Sequence, residues 1–280
     1  MSHISIGDFR ISLVRIGSYW WDGGAMFGVV PKTLWSRTNP ADDLNRVECA
    51  LNTYVLDTGD RRILIDTGGG VRFDDRAKER QRTPEPARIR DTLSGAGFEP
   101  DSFDAVILTH LHWDHCGGNT VDEKGSVVAA LPRAMYYAQR GELLHAREQH
   151  PRDAVSYRAV NYEPLLEAGR LHLLDGDQEL FPGIHLRVTP GHNRDMMTIR
   201  VHSHGNTWLH LADLAPFAAQ VTPTWLAAFD LFPLETIANK EELLTRAAAE
   251  DWWCSFSHEP KVAFAKVDCK DGKWRTHSAR

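Results

Sequence analysis

Positions 110–119 read His110-Leu111-His112-Trp113-Asp114-His115-Cys116-Gly117-Gly118-Asn119. Three imidazoles and a carboxylate within six residues are costly to pack together unless something uses their lone pairs. Both side-chain types are ligands for zinc and neighbouring divalent cations. Just upstream, Phe103 to Leu108 (FDAVIL) is an apolar run of the kind that forms a strand buried on both faces, and it delivers Thr109-His110 at its carboxyl end. A loop on a rigid strand is where a scaffold aims functional side chains. Gly117-Gly118 lets the backbone turn there without a Cβ in the way. A solvated His-rich tract would have neither the strand before nor the glycines after.

Working outward, strand-like runs precede the motif at Arg10 to Ile16, Cys49 to Leu56 and Arg62 to Ile65, the last running into Asp66-Thr67-Gly68-Gly69-Gly70, a turn that needs positive φ. Asp74 to Pro86 reads as a charged loop or frayed helix. Ala87 to Ala96 reads as a helix with Pro86 at its first position and Gly97 as its stop. Beyond the motif, strands are expected at Leu171 to Leu174, Ile184 to Val188, Thr198 to His202, Thr207 to Leu211, Cys254 to Ser257, Val262 to Val267 and near Trp274. A helix is expected from Lys240 to Glu250, with Leu243, Leu244 and Ala247 on one face. Strand clusters separated by helices predict sheets packed together with helices outside. No Ser/Gly- or Pro-rich linker divides the chain, so residues 1–280 read as a single domain.

The motif resembles that of the metallo-β-lactamase superfamily, whose hydrolases carry His-x-His-x-Asp-His followed by Gly-Gly. Thr189-Pro190-Gly191-His192, Ala212-Asp213 and Ser257-His258-Glu259-Pro260 match further elements of that family in its order, over roughly residues 22 to 260. The resemblance implies an α/β fold, an αββα sandwich of two mixed β-sheets flanked by helices, with the site at the strand ends between the sheets. It implies two divalent metal ions, zinc first and manganese, cobalt or iron(II) as alternatives. His110, His112 and His192 would hold one, Asp114, His115 and His258 the other, and Asp213 would bridge them. Within the superfamily the chain is most similar to the N-acyl-homoserine lactonase and methyl parathion hydrolase branch, through Asp22 to Pro31 (DGGAMFGVVP) and a late segment with Trp225, Phe229-Asp230, Pro233 and Lys240.

The implied activity is the opening of lactones or related esters, acyl-homoserine lactones among them, by attack of a metal-bridging hydroxide, and with it quorum quenching. Two divalent cations, two carboxylates and one hydroxide leave such a cluster at about +1, suited to polarising a carbonyl or phosphoryl oxygen. Metal binding brings the pKa of water from ~15.7 toward ~7, so no separate strong base is needed. Asp114 is the candidate catalytic residue, shuttling a proton to the leaving alkoxide. Met26, Phe27, Trp113 and Phe217 are candidates for an apolar substrate pocket. Phosphotriester hydrolysis is the alternative, followed by a non-catalytic metal-binding protein on the same fold.

Two departures stand out. Lactonases resembling this chain commonly place a tyrosine three residues after the bridging aspartate, where this chain has Pro216. After His192 it reads Asn193-Arg194-Asp195-Met196 in place of a second Gly-His. Among the remaining histidines, His202 and His204 flank a hairpin turn, His210 points to the strand's other face, and His145 and His150, five apart on an expected helix, share no face. Asp66 is expected to bond the backbone of the motif loop or a ligand histidine. Cys116 reads as a small buried residue.

Composition sets the outer bounds. The 280 residues are 42% apolar and 25% charged, which excludes general disorder. A net charge of −6 and a pI near 6.1 argue against nucleic-acid and anionic-membrane partners. No run of ~18 apolar residues is present to span a bilayer. The first residues alternate like a strand rather than forming a signal peptide. Four scattered cysteines without a C-x-x-C pair point to a reducing cytoplasm. The expected partner is a small ester or lactone, and the resemblance adds a homodimer.

Overall fold

The apolar runs around the motif become the middle of a mixed sheet in the computed structural model, which describes residues 2–83 and 86–278. Strands β1 (His3–Ile6), β2 (Phe9–Asp22), β3 (Arg46–Asp57), β4 (Arg62–Ile65) and β5 (Ala105–Ile107) line up in sequence order. A separate hairpin of β6 (Thr120–Glu123) and β7 (Ser126–Ala129) follows, and β8 (Met135–Gln139) and β9 (Leu171–Leu174) then complete the sheet beside β5. β4, β5, β8 and β9 run parallel. Strands covered on both faces need apolar residues at every position, and Ile63, Leu64, Ile65, Ala105, Val106 and Ile107 are all buried. The parallel run places Asp66 and Thr109-His110 side by side, just past the carboxyl ends of β4 and β5.

The second mixed sheet repeats the device. It consists of β10 (Gln178–Phe181), β11 (Ile184–Val188), β12 (Met197–Ser203), β13 (Asn206–His210), β14 (Trp253–Ser255), β15 (Ala265–Lys270) and β16 (Lys273–Ser278), in that order. Only β13 and β14 pair in parallel, with His210 opposite Ser255. Asp213 and His258 therefore each lie three residues past the end of neighbouring parallel strands. The helix Pro233–Ala249 lays Leu243, Leu244 and Ala247 against a core that includes Leu209, Cys254, Phe256 and Val267. The chain divides into two compact units, Met1–Gly17 with Leu51–Gly176 and Ser18–Ala50 with Asp177–Arg280. No helix among the described residues is long and apolar enough to cross a membrane.

Several boundaries differ from expectation. The charged stretch after residue 74 contains a true helix, Asp75–Gln81, because the Asp74 carboxylate accepts from the Ala77 amide and caps it. The next helix begins at Ile89 rather than Ala87, and Pro86 lies outside it. Its buried stripe, Ile89 and Leu93, has no apolar member further upstream. Gly97 stops it as expected, at φ +84° with Phe98 N–H bonded to Leu93 O. The long helix starts at Pro233, seven residues before Lys240. The helix Arg140–Glu148 ends in a left-handed Gln149, which folds His150 back so that its ring lies 6.4 Å from that of His145.

Candidate metal centre

In the first unit, backbone strain and a shared carboxylate shape the motif. Asp66 leaves β4 at φ +57°, a region a non-glycine residue enters only when its surroundings compensate. The compensation is visible. Asp66 Oδ1 accepts the Thr109 amide at 2.8 Å, and Oδ2 accepts the Thr109 hydroxyl at 2.8 Å and His115 Nδ1 at 2.8 Å. Thr109 has one hydroxyl proton, and Asp66 takes it. Its oxygen, 3.1 Å from His110 Nδ1, must then accept from that imidazole. Both His110 and His115 thereby carry their proton on Nδ1 and keep Nε2 basic. Their ring centroids are 4.0 Å apart, and those of His110 and His112 are 4.6 Å apart.

The loop is closed by its own backbone. Thr67 N–H bonds His115 O at 2.7 Å and Gly118 N–H bonds Gly68 O at 3.1 Å. A Cβ on Gly70, at φ +65°, would sit 2.1 Å from Gly117 O, and one on Gly117 would sit 2.2 Å from Gly69 O. Buried Glu142 accepts the Leu111 amide at 2.9 Å and the Tyr157 hydroxyl at 3.1 Å, while the Tyr157 ring stands edge-on to His112 at 4.7 Å. Neither residue belongs to a recognisable motif. Asp114 is half-buried. Beside it Trp113 packs edge-on to Phe73 at 5.2 Å, with the Arg158 guanidinium 5.4 Å from its ring. Burial pushes that guanidinium below its ordinary value, and Asp114 is the strongest charge opposing the shift. Cys116 donates to Leu111 O, and burial drives its thiol well up, as a packing residue requires.

The second unit assembles His192, Asp213 and His258. His192 Nδ1 meets Asp230 Oδ1 at 3.1 Å, and His258 Nδ1 meets the Ala50 carbonyl at 2.9 Å. Each acceptor fixes the proton on Nδ1. The remaining nitrogens converge on one carboxylate, His192 Nε2 at 3.6 Å from Asp213 Oδ2 and His258 Nε2 at 3.4 Å from Oδ1. Two imidazole lone pairs turned toward a buried carboxylate repel it unless positive charge lies among them. A divalent cation satisfies that demand, so this donor set fits a metal. Asp213 follows Ala212, which holds φ +48°, a second strained corner at a strand end. Asp230, outside the histidine motifs, lies 38 residues from the histidine it orients.

The candidate pocket residues of this unit are enclosed. Phe27 stacks on Trp35 at 5.2 Å and on Phe217 at 5.6 Å, and neither Phe27 nor Phe217 has exposed surface. Met26 is buried beside them, and its carbonyl takes the Gln220 amide at 2.8 Å. His202 and His204 form the β12–β13 hairpin, with His204 left-handed at φ +47°. His210 is buried with Nδ1 3.0 Å from Ser255 Oγ.

Two mixed sheets with flanking helices, and histidine and aspartate donors past the carboxyl ends of parallel strands, are features of the metallo-β-lactamase fold. The chain belongs to the metallo-beta-lactamase superfamily, which it matches over residues 46–258. An N-acyl homoserine lactonase of Bacillus thuringiensis is 33% identical over 151 residues, which are 50% of this chain and 53% of that protein. The chain thus spans about half the length of the curated relatives it matches. Among solved structures, a "probable metal-dependent hydrolase" from Staphylococcus aureus superposes with a TM-score of 0.89 at 27% identity, covering 99% of this chain and 100% of that one. The dizinc quorum-quenching lactonase AidC, in complex with a product, shares the fold with a TM-score of 0.81 at 19% identity, over 100% of this chain and 97% of its own.

Proposed function

We propose that the chain is a dinuclear metal-dependent hydrolase that opens lactones or related esters, acyl-homoserine lactones among them, with residues 1–280 working as one catalytic domain in the cytoplasm. The carrying observation is the shared tautomer of His110, His115, His192 and His258, each anchored through Nδ1 so that Nε2 is the basic nitrogen. The identity with N-acyl homoserine lactonases over half the chain supports the substrate class. His110, His112 and His192 would hold one cation, Asp114, His115 and His258 the other, and Asp213 both. Imidazole and carboxylate donors suit zinc, and manganese, cobalt or iron(II) accept the same set. When bound, the cations supply Lewis acidity and a water acidic enough to react near neutral pH.

The chain's own residues divide the remaining work. Asp66 and Asp230 hold His115 and His192 in register, so the donors need no reorganisation on binding. Asp114 takes the proton of the attacking water and hands it to the leaving alkoxide. Trp113, on its bed of Phe73 and Arg158, contacts the apolar part of the substrate, while Met26, Phe27 and Phe217 form a stiff apolar layer that backs the site.

A substrate panel on zinc- or manganese-loaded protein tests the proposal. Acyl-homoserine lactones and simple γ- and δ-lactones should be opened with kcat/KM above that for a paraoxon-type triester. No lactone hydrolysis at full metal occupancy would overturn the reading, and a triester preferred over every lactone would replace it with phosphotriester hydrolysis. Fewer than about one metal per chain after loading would favour a non-catalytic protein.

A further inference from the structure

Lys240 stands on the helix Pro233–Ala249 with no exposed surface. Lysines are almost never fully buried, because an ammonium loses its hydration there. Among the described residues it has a single hydrogen-bond acceptor, the Trp225 carbonyl at 2.8 Å. Burial pushes the amine down to about 7, and the charge of Asp230 opposes the shift. Asp230 is itself buried, with Oδ1 on His192 Nδ1 and Oδ2 accepting the Thr236 hydroxyl at 3.2 Å. Thr236 and Lys240 are one helical turn apart and share a face. Between them Asn239 donates to Pro190 O at 2.7 Å, two residues before His192. A Cβ on Gly191 would lie 2.5 Å from Thr236 Oγ1, so the histidine's loop rests directly on this turn. One turn of helix thus grips the strand exit before His192, the carboxylate behind its ring, and the loop that carries that carboxylate.

We propose that Lys240 is a positioning residue for His192, acting through Asp230, whose loop it holds by the Trp225 carbonyl so that the carboxylate stays in place as the acceptor of the Nδ1 proton. The proposal rests on the reading of His192 as a metal ligand. A lysine present only to fill space would be replaceable by methionine without consequence for metal, since methionine matches its length and needs no charge partner. Lys240 instead bonds the loop of the carboxylate that orients a ligand, one turn after Thr236 bonds that carboxylate itself, and contacts supporting a ligand are worth roughly 10–100-fold in affinity.

The test is a chelator competition on the zinc-loaded full chain. Lys240→Met should weaken one of two bound cations about 10-fold or more and leave the other near its wild-type affinity. In the cobalt-substituted protein the visible absorption of the affected site should change as well. Asp230→Asn should weaken the same cation, and the double variant should lose no more than Asp230→Asn alone, because both substitutions break one chain of contacts. Wild-type affinity in Lys240→Met, or losses that multiply in the double variant, would overturn the proposal while leaving the metal reading intact. Wild-type protein that binds no cation would overturn both. Lys240→Gln, carried through the same titrations, decides the matter should the methionine variant fail to fold.

Discussion

Oδ2 of Asp66 lies 2.8 Å from Nδ1 of His115, across 49 residues of sequence and at the heart of the first unit. The carboxylate also binds the amide and hydroxyl of Thr109, so one side chain ties the exit of β4 to both ends of the histidine motif.

Asp66→Asn should therefore weaken metal binding roughly 10–100-fold. The amide keeps an acceptor for Thr109 or for His115 but turns a donor toward the other, so a buried clash of protons replaces a shared oxygen. Folding stability should fall by about 1–3 kcal/mol. Chelator competition and thermal unfolding read the two effects. Unchanged affinity would mean that Thr109 alone sets the imidazoles.

Asp114→Asn separates metal holding from proton delivery. The amide retains a carbonyl oxygen, but it cannot accept a proton from the nucleophile and pass it on. General acid–base steps contribute ~10²–10⁴-fold. At full metal occupancy the variant should lose far more activity on an aliphatic lactone, whose alkoxide leaves poorly, than on a p-nitrophenyl ester, whose phenolate needs no proton. Equal losses would reduce Asp114 to a ligand.

Asp213→Ala should remove much of the affinity for both cations and abolish hydrolysis, since two imidazoles converge on that one carboxylate. His204→Ala, in the left-handed turn between β12 and β13, should leave metal content and turnover intact. It should cost stability about 1 kcal/mol, because alanine tolerates that φ poorly. Metal analysis beside kinetics distinguishes the pair, and similar behaviour would dislodge Asp213 from its role.

Lys240 gives the stability a defined pH dependence. Its amine falls from an ordinary 10.5 to about 7 on folding. Between those values the unfolded chain binds a proton that the folded protein does not, so stability climbs with pH across that window, and the penalty is fully present below about pH 7. At ~1.4 kcal/mol per pH unit, the climb from this residue is on the order of 5 kcal/mol. Urea unfolding of Lys240→Met from pH 6 to 10 should show that rise flattened, with the variant more stable than the parent at pH 6. A parallel slope in both proteins would contradict this.

Chemistry that is local in the chain was legible in it. The strands Arg62–Ile65, Leu171–Leu174 and Ile184–Val188 have the bounds their apolar patterns predict, and the histidine motif follows β5 as expected. The first turns of the long helix were hidden because polar Thr236 and Lys240 occupy the buried stripe continued by Leu243, Leu244 and Ala247. Periodicity counts apolar residues, and a buried lysine is invisible to it. Glu142, Tyr157 and Asp230 escaped for another reason. Each supports a motif residue that is distant in sequence, and only the folded backbone brings them together. His145 and His150 were set apart by an ideal-helix assumption that the left-handed Gln149 breaks, and Asp153 now bonds His145 Nε2 at 2.8 Å.

The backbone contact of Gly70 with Gly117 has a kinetic consequence. A loop locked by glycines too close for any Cβ is already in its final shape when an ion arrives, so the entropy of ordering its donors is spent during folding rather than during capture. Loading should then proceed at the pace at which the ion sheds water, not at the pace of a closing loop. The stripped protein should keep its tertiary structure and accept a new ion without refolding, unlike small zinc domains that collapse when chelated.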